Sequence, residues 1–204
     1  LCKGYTVYVL DNLIQGAEGV NCFLGYGTYN FIKGDIRDQN LLNEIISKVD
    51  FVAHLAAIVG ESACKINPED SKSINVQGTK NIIHSCMENK IKRLIFVSTC
   101  SSYGVQDTRI MAKEDTPLNP VSLYAETKIS MEEYLKKNYD SELSYTILRP
   151  STVHGPSPRM RFDLIVNHFV KDAVLQGKLD IFGGDMWRPL MWVGEFGRSI
   201  DKIL

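Results

Sequence analysis

Hydrophobic and polar positions change period several times along the chain. Tyr5 to Leu10 is β-branched and aromatic and runs into Asp11-Asn12, as a strand running into a turn would. A second strand is predicted from Tyr29 to Lys33, closed by Gly34-Asp35, after which Leu41, Leu42, Ile45 and Ile46 repeat at helical spacing. Phe51 to Ala57 is a short apolar run between Asp50 and Gly60. Then come a helix from Asn75 to Met87, a buried strand from Leu94 to Val97, a long amphipathic helix from Ser122 to Lys137 and a strand from Tyr145 to Leu148. Apolar strands alternating with helices predict an α/β fold, a doubly wound parallel sheet covered on both faces.

Ligands in such sheets bind at the carboxyl ends of the strands. Asp11, Asp35, Ala56, Thr99 and Arg149-Pro150 all follow predicted strands at that edge. Beyond Pro150 the texture changes. Gly155, Pro156 and Pro158 mark a loop, Phe162 to Val174 reads as a helix, and Leu179 to Phe182 as a short strand before Gly183-Gly184. The expected division is a dinucleotide-binding domain over residues 1–150 and part of a substrate-binding subdomain over 151–204. Both ends read as cut: Leu1 to Gly4 resembles the tail of a helix with no opening strand and glycine-rich phosphate turn before it, and a helix begun at Glu195 stops at Leu204. Lacking that turn, these residues alone are expected to bind a dinucleotide poorly.

Composition narrows the function. Lys+Arg number 23 against 24 Asp+Glu, so no broad positive field exists to hold a nucleic acid. The 5 cysteines are scattered without a C-x-x-C pair and read as reduced thiols of a cytoplasmic protein; no apolar run is long enough to span a bilayer. No His, Cys, Asp and Glu cluster has metal-ligand spacing, so no metal is expected.

The chemistry concentrates at Tyr124-Ala-Glu-Thr-Lys128, where a phenol and an ammonium lie one turn apart on a predicted helix. The positive charge is expected to lower the tyrosine pKa and make it a general base. Spacing alone does not single the pair out, because Tyr29 and Lys33 share it inside a strand-like run. Position does: Tyr124 opens a helix after Pro117-Leu-Asn-Pro120, and a buried strand delivers Ser98-Thr99 to the ligand edge. His54, within a buried strand, reads as a core histidine, and His154 lacks an identifiable partner.

Taken in order, several segments carry a resemblance. They are Val-Tyr-Val-Leu-Asp11-Asn-Leu, Gly34-Asp35-Ile-Arg, His54-Leu-Ala-Ala, Asn75-Val-Gln-Gly-Thr79, Val97-Ser-Thr-Cys-Ser-Ser-Tyr-Gly104, Ser122-Leu-Tyr-Ala-Glu-Thr-Lys128 and Leu148-Arg-Pro150. The chain resembles, over nearly its whole length, the extended short-chain dehydrogenase/reductases that include sugar-nucleotide epimerases and dehydratases. The resemblance implies NAD as cofactor. Asp11, with Asn12, would accept from the adenosine ribose; Asp35 and Ile36 would flank the adenine; Ala56 and Ala57 would let the cofactor approach the sheet. Asn75 would tie its helix to cofactor or neighbouring loops, and Ser98, Tyr124, Lys128 and Pro150 complete the cofactor set. Thr99 falls at the catalytic Ser/Thr position beside Tyr124 and Lys128.

Substrate is implied to be a nucleotide-diphosphate sugar, touched by Thr99 and Thr152 and gripped by Arg159, Arg161 and Arg188, whose planar forks match phosphate oxygens. Where the dehydratases carry an Asp-Glu pair after the Thr99 position, this chain has Cys100-Ser101, which favours an epimerase acting at C4 over elimination. Some family epimerases use a cysteine two residues before the Tyr103 position; here that place is Ser101, and Cys100 reads as a small buried thiol. A one-way dehydrogenase or dehydratase of the same family, and a non-catalytic NAD-sensing or scaffold protein, stay open as alternatives. The resemblance also implies a homodimer built partly from the Tyr124 helix.

Overall fold

The computed structural model describes residues 3–107 and 111–204. Leu1 and Cys2, half of the segment read as a helix tail, lie outside them; Lys3 and Gly4 form a turn, with Gly4 at φ 83°. Among the described residues, seven strands are interspersed with eight α-helices: β1 Val7–Asp11, α1 Glu18–Asn21, β2 Tyr29–Lys33, α2 Gln39–Ile46, β3 Phe51–His54, α3 Glu61–Ile66, α4 Pro68–Lys72, α5 Thr79–Glu88, β4 Arg93–Val97, α6 Leu123–Asn138, β5 Ser144–Leu148, β6 Thr152–His154, α7 Ile165–Gln176, β7 Leu190–Trp192 and α8 Val193–Ile203. A 3-10 turn over Cys100–Tyr103 follows β4.

All strand pairings are parallel, in three groups ordered β1-β2, β3-β4-β5 and β6-β7. The architecture is the Rossmann-like α/β arrangement that the alternation predicts. β4 is the innermost strand of the central group: Leu94, Ile95 and Phe96 are all buried although they point alternately to opposite faces. Both faces of this strand are therefore covered, which explains its unbroken apolar run. Below it, Ile82, Ile83 and Cys86 of α5 and Met131 and Leu135 of α6 join Leu94 and Phe96 in the main core.

Two sequence expectations are corrected. The helix expected to begin at Asn75 begins earlier. Asn67 caps α4 by accepting from the Asp70 amide at 3.2 Å, Pro68 occupies the first turn, and a π-helical turn over Ser73–Gly78 joins α4 to α5. The widened turn holds Asn75 where its side-chain oxygen accepts from the Ile58 amide at 2.8 Å and its nitrogen donates to the Ile58 carbonyl at 3.0 Å. Asn75 thus ties the helix to the loop that follows β3. Beside it, a Cβ on Gly78 would lie 2.5 Å from Ile36, so that glycine permits the close approach.

The second correction concerns Leu179 to Phe182, which form no strand. The strands of this region are β6 and β7 instead, with Thr152 opposite Leu190 and His154 opposite Trp192. Ile181 and Phe182 are exposed, so the apolar run had no sheet edge or core to join. No helix among the described residues is long and apolar enough to cross a membrane, and the four described cysteines, Cys22, Cys64, Cys86 and Cys100, are free.

His54, at the end of β3, is a satisfied core histidine. The Thr79 hydroxyl donates to the Asn75 carbonyl at 2.7 Å, so the 2.9 Å contact between His54 Nε2 and Thr79 Oγ1 assigns the ring proton to Nε2. Burial, and then the nearby Lys128 ammonium, push the His54 pKa down to about 3. An unfolded chain protonates this histidine near 6.5, so the unfolded state binds the extra proton first as pH falls. Its contribution to stability is complete above pH 6.5 and is lost progressively toward pH 3. Urea unfolding across that window should show a shallower acid limb for His54→Leu than for the parent; parallel limbs would contradict the assignment.

Candidate active site

The site is built where the carboxyl end of β4 meets α6. Ser122 caps α6, its hydroxyl accepting from the Ala125 amide at 3.2 Å, and Lys136 and Lys137 close the helix at its carboxyl end. Tyr124, Lys128 and Glu132 then follow at one-turn spacing on the face turned toward the sheet. Three consecutive residues of the β4 end meet them. Lys128 Nζ donates to the Val97 carbonyl at 2.8 Å, the Ser98 hydroxyl donates to Glu132, and the Thr99 hydroxyl lies near enough to the Tyr124 phenol to pull its pKa down. Thr99 Oγ1 also accepts from the Ser101 amide at 3.1 Å, which caps the 3-10 turn and leaves the hydroxyl proton free to point toward Tyr124.

Electrostatics correct one expectation. Burial pushes the Tyr124 phenol up to about 12, with Cys64 and Cys100 acting in the same sense and Arg161 and the Thr99 hydroxyl pulling against them. The sequence reading has Lys128 lowering it. In the fold, the Lys128 ammonium is itself buried, is engaged by the Val97 carbonyl and lies 4.9 Å from the Phe96 ring, and burial takes its pKa down to about 8 against the pull of Glu132. Desolvation dominates both groups and favours their neutral forms.

The substrate-side residues divide. Arg161 lies over Gly60, where a Cβ would meet its guanidinium at 3.4 Å, and it acts on Tyr124; in this state it pairs with Asp163. Gly60 itself adopts φ 94°, a conformation that suits glycine. Arg188 is exposed, and its charge pulls down the Cys100 thiol that burial pushes up. The charges of both arginines are therefore felt by groups beside Thr99. Arg159 turns the other way and donates to Gln15 in the loop after β1. Thr152 opens β6, its amide donating to the Pro189 carbonyl at 3.2 Å.

At the cofactor edge, Asp11 ends β1 with one carboxylate oxygen accepting from the Leu13 amide at 2.7 Å, and Asn12 donates to Asp35 at 3.1 Å. Asp35 also pairs with Arg37, which holds its carboxyl far below the usual range. Ile36 is a core residue beneath Gly78. Ala56 and Ala57 are partly buried after β3, and the Pro150 carbonyl accepts from the Cys100 amide at 3.1 Å.

Sequence reasoning missed Glu132. It is fully buried, and Arg149 at the end of β5 grips it through Nε, at 3.0 and 3.1 Å to its two oxygens, and through a second nitrogen. Arg149 also donates to the Tyr103 hydroxyl at 3.0 Å. The signal was present as the third member of the Tyr124, Lys128, Glu132 series. In the ligand-free protein, ultraviolet difference spectra between parent and Tyr124→Phe should show no phenolate from Tyr124 below pH 10, the ordinary tyrosine value; a phenolate signal there would contradict the burial effect.

Comparison with known proteins identifies the family and the fold. The family model for the NAD dependent epimerase/dehydratase family matches residues 1–204. The putative UDP-glucose 4-epimerase of Methanocaldococcus jannaschii is 30% identical over 97% of this chain and 65% of its own length. The UDP-N-acetylglucosamine 4-epimerase of Methanobrevibacter ruminantium, solved with UDP-N-acetylmuramic acid, superposes with a TM-score of 0.84 at 30% identity, covering 95% of this chain and 63% of that one. A dTDP-glucose 4,6-dehydratase double mutant of Streptomyces venezuelae, solved with NAD bound, gives 0.82 at 26% identity, covering 95% and 61%. The chain spans between 47% and 65% of the length of the curated relatives it matches. By its motifs, its Rossmann-like fold and the match along its whole length, the chain belongs to the NAD-dependent epimerase/dehydratase family of enzymes.

Proposed function

We propose that this chain carries the catalytic centre of a sugar-nucleotide 4-epimerase in which Tyr124, Thr99 and Lys128 handle the proton of a sugar hydroxyl. The observation that carries the proposal is the meeting of β4 and α6, which sets the Thr99 hydroxyl against the Tyr124 phenol at the ligand edge with Lys128 one turn below. Residues suited to NAD line the same edge: Asp11 keeps a carboxylate oxygen beyond its turn contact for ribose hydroxyls, Ala56 and Ala57 add little bulk, and Lys128 stands beneath Tyr124.

Oxidised NAD, when bound, supplies the hydride acceptor and a positive charge. Tyr124 removes the C4 hydroxyl proton and later returns it, while Thr99 orients the sugar oxygen. At rest the phenol is protonated, so ionisation of Tyr124 depends on positive charge entering a dry site; Lys128, in its ammonium form, adds to that charge. Arg161 and Arg188, in the segments beyond β5, hold the diphosphate and keep the oxidised sugar from escaping. The Ser98 hydroxyl and the Thr99 oxygen are already engaged within the protein, by Glu132 and by the Ser101 amide, so both strand-end hydroxyls are held in place before substrate arrives.

An epimerase is favoured over a dehydratase by Cys100-Ser101. Burial raises the Cys100 thiol above its ordinary value, so it stays protonated near neutral pH and is a poor base for elimination. With NAD and a panel of UDP- and dTDP-sugars, the full-length parent protein should interconvert C4 epimers without net NADH accumulation. Tyr124→Phe should reduce turnover roughly 100- to 10,000-fold. Net NADH would select a dehydrogenase and a dehydrated product a dehydratase; unchanged turnover in Tyr124→Phe would overturn the mechanism, and no turnover of any sugar by the parent would favour a non-catalytic NAD-sensing role.

A further inference from the structure

Glu132 stands apart from the other carboxylates of the described chain. It is fully buried one turn beyond Lys128, and it draws partners from both neighbouring strand ends: Ser98 from β4 and Arg149 from β5. Arg149 extends the connection to the Tyr103 hydroxyl at 3.0 Å and to the Glu114 carbonyl at 3.2 Å, with its guanidinium 5.2 Å from the Tyr103 ring. One carboxylate therefore ties α6, the end of β4, the 3-10 turn and the end of β5 together. A purely structural tie would not need a charge here, because a buried ion pair costs about as much in desolvation as it returns. The placement beside Lys128 gives the charge a use.

We propose that Glu132 is the positioning residue of the site, holding the β4 end against α6 so that Thr99 faces Tyr124, and serving as the buried counter-charge that keeps Lys128 an ammonium. The proposal rests on the catalytic reading of Lys128 and Tyr124 given above. Lys128 faces His54 from β3, the Phe96 ring and Val97 carbonyl from β4, and Glu132 from its own helix. His54 is neutral and the carbonyl carries no net charge, so the formal negative charge among these groups is that of Glu132. Glu132 in turn faces Arg149 from β5 and, at 4.0 Å, the half-exposed Lys136. With burial driving Lys128 toward its neutral form, removal of this counter-charge leaves the ammonium opposed by desolvation alone.

The test is a titration that needs no turnover. The side-chain nitrogen resonance of Lys128, assigned by its loss in Lys128→Met, is followed with pH in the intact ligand-free protein. In the parent the midpoint should fall near 8. Glu132→Gln keeps the size and the acceptor oxygen for Ser98 and Arg149 but not the charge, and should lower that midpoint; Glu132→Asp, which retains the charge, should bring it back toward the parent. Arg149→Met leaves the carboxylate without its principal partner and should raise the Lys128 midpoint, the opposite direction. A Lys128 titration indifferent to Glu132→Gln, or shifted the same way by Glu132→Gln and Arg149→Met, overturns the proposal. If Glu132→Gln does not fold, the Arg149→Met shift decides alone; if neither folds, the carboxylate is required for the fold itself and the proposal fails.

Activity separates this inference from the reading beneath it. If Tyr124→Phe leaves turnover intact while the Lys128 midpoint moves as described, the mechanism fails and the counter-charge role of Glu132 stands. If Tyr124→Phe abolishes turnover and the midpoint does not move, the mechanism stands and the proposal for Glu132 fails. Where both hold, Glu132→Gln should lower kcat with little change in KM, and its pH–rate profile should shift in the same direction as the Lys128 midpoint.

Discussion

A carboxylate with no access to water has to find its hydrogen bonds and its counter-charge within the protein, and Glu132 is such a group. Meeting that requirement brings Ser98 and Arg149 to it from two different strands. Once Ser98 is held there, its neighbours in the extended β4 end have little freedom. The Val97 carbonyl falls on Lys128, and the Thr99 hydroxyl comes near enough to Tyr124 to act on its pKa. Side chains of a strand alternate in direction, and those of a helix return every turn, so contact of one pair sets the others. The relation of strand end to helix face is therefore a single geometric decision made by one buried charge.

The same burial sets the electrostatics. Tyr124 and Lys128 ionise in opposite senses, and a low-dielectric surround moves both toward neutrality, the phenol up to about 12 and the ammonium down to about 8. His54, which also packs against the Phe96 ring, has gone all the way and stays neutral at any ordinary pH. A site in this condition responds strongly to a charge that enters it, because little water is present to screen the effect. Arg161, whose charge reaches Tyr124, is more exposed, and its present partner, Asp163, is a surface group that a phosphate competes with on favourable terms.

Particular elements show where sequence reading succeeds. β2 was legible to the residue because Tyr29 to Lys33 combines aromatic and β-branched side chains with a Gly-Asp stop. The start of α6 was legible because a serine cap leaves a chemical signature. Leu179 to Phe182 misled because a short apolar run has the same periodicity whether or not a neighbour exists to pair with it. The early start of the helix before Asn75 was written in Asn67-Pro68, a capping residue followed by proline, but the π-helical turn between was not: its extra residue answers to the Ile58 loop and to Ile36, both distant in sequence.

By itself the sequence determined the family, the order of β1 to β5 with α2, α5 and α6 between them, the strand-end position of Thr99 and the helical face shared by Tyr124 and Lys128. These follow from local periodicity, capping and motif order, all of which operate within a few residues. Only the tertiary structure decided which partner each charge receives: Glu132 with Arg149 across 17 residues, Lys128 with a carbonyl 31 residues away, Arg161 over Gly60. It also reversed the expected direction of the Tyr124 pKa. A one-turn spacing places an ammonium near a phenol, but whether attraction or desolvation governs depends on how much protein surrounds the pair, and that is settled by segments packing from elsewhere in the chain.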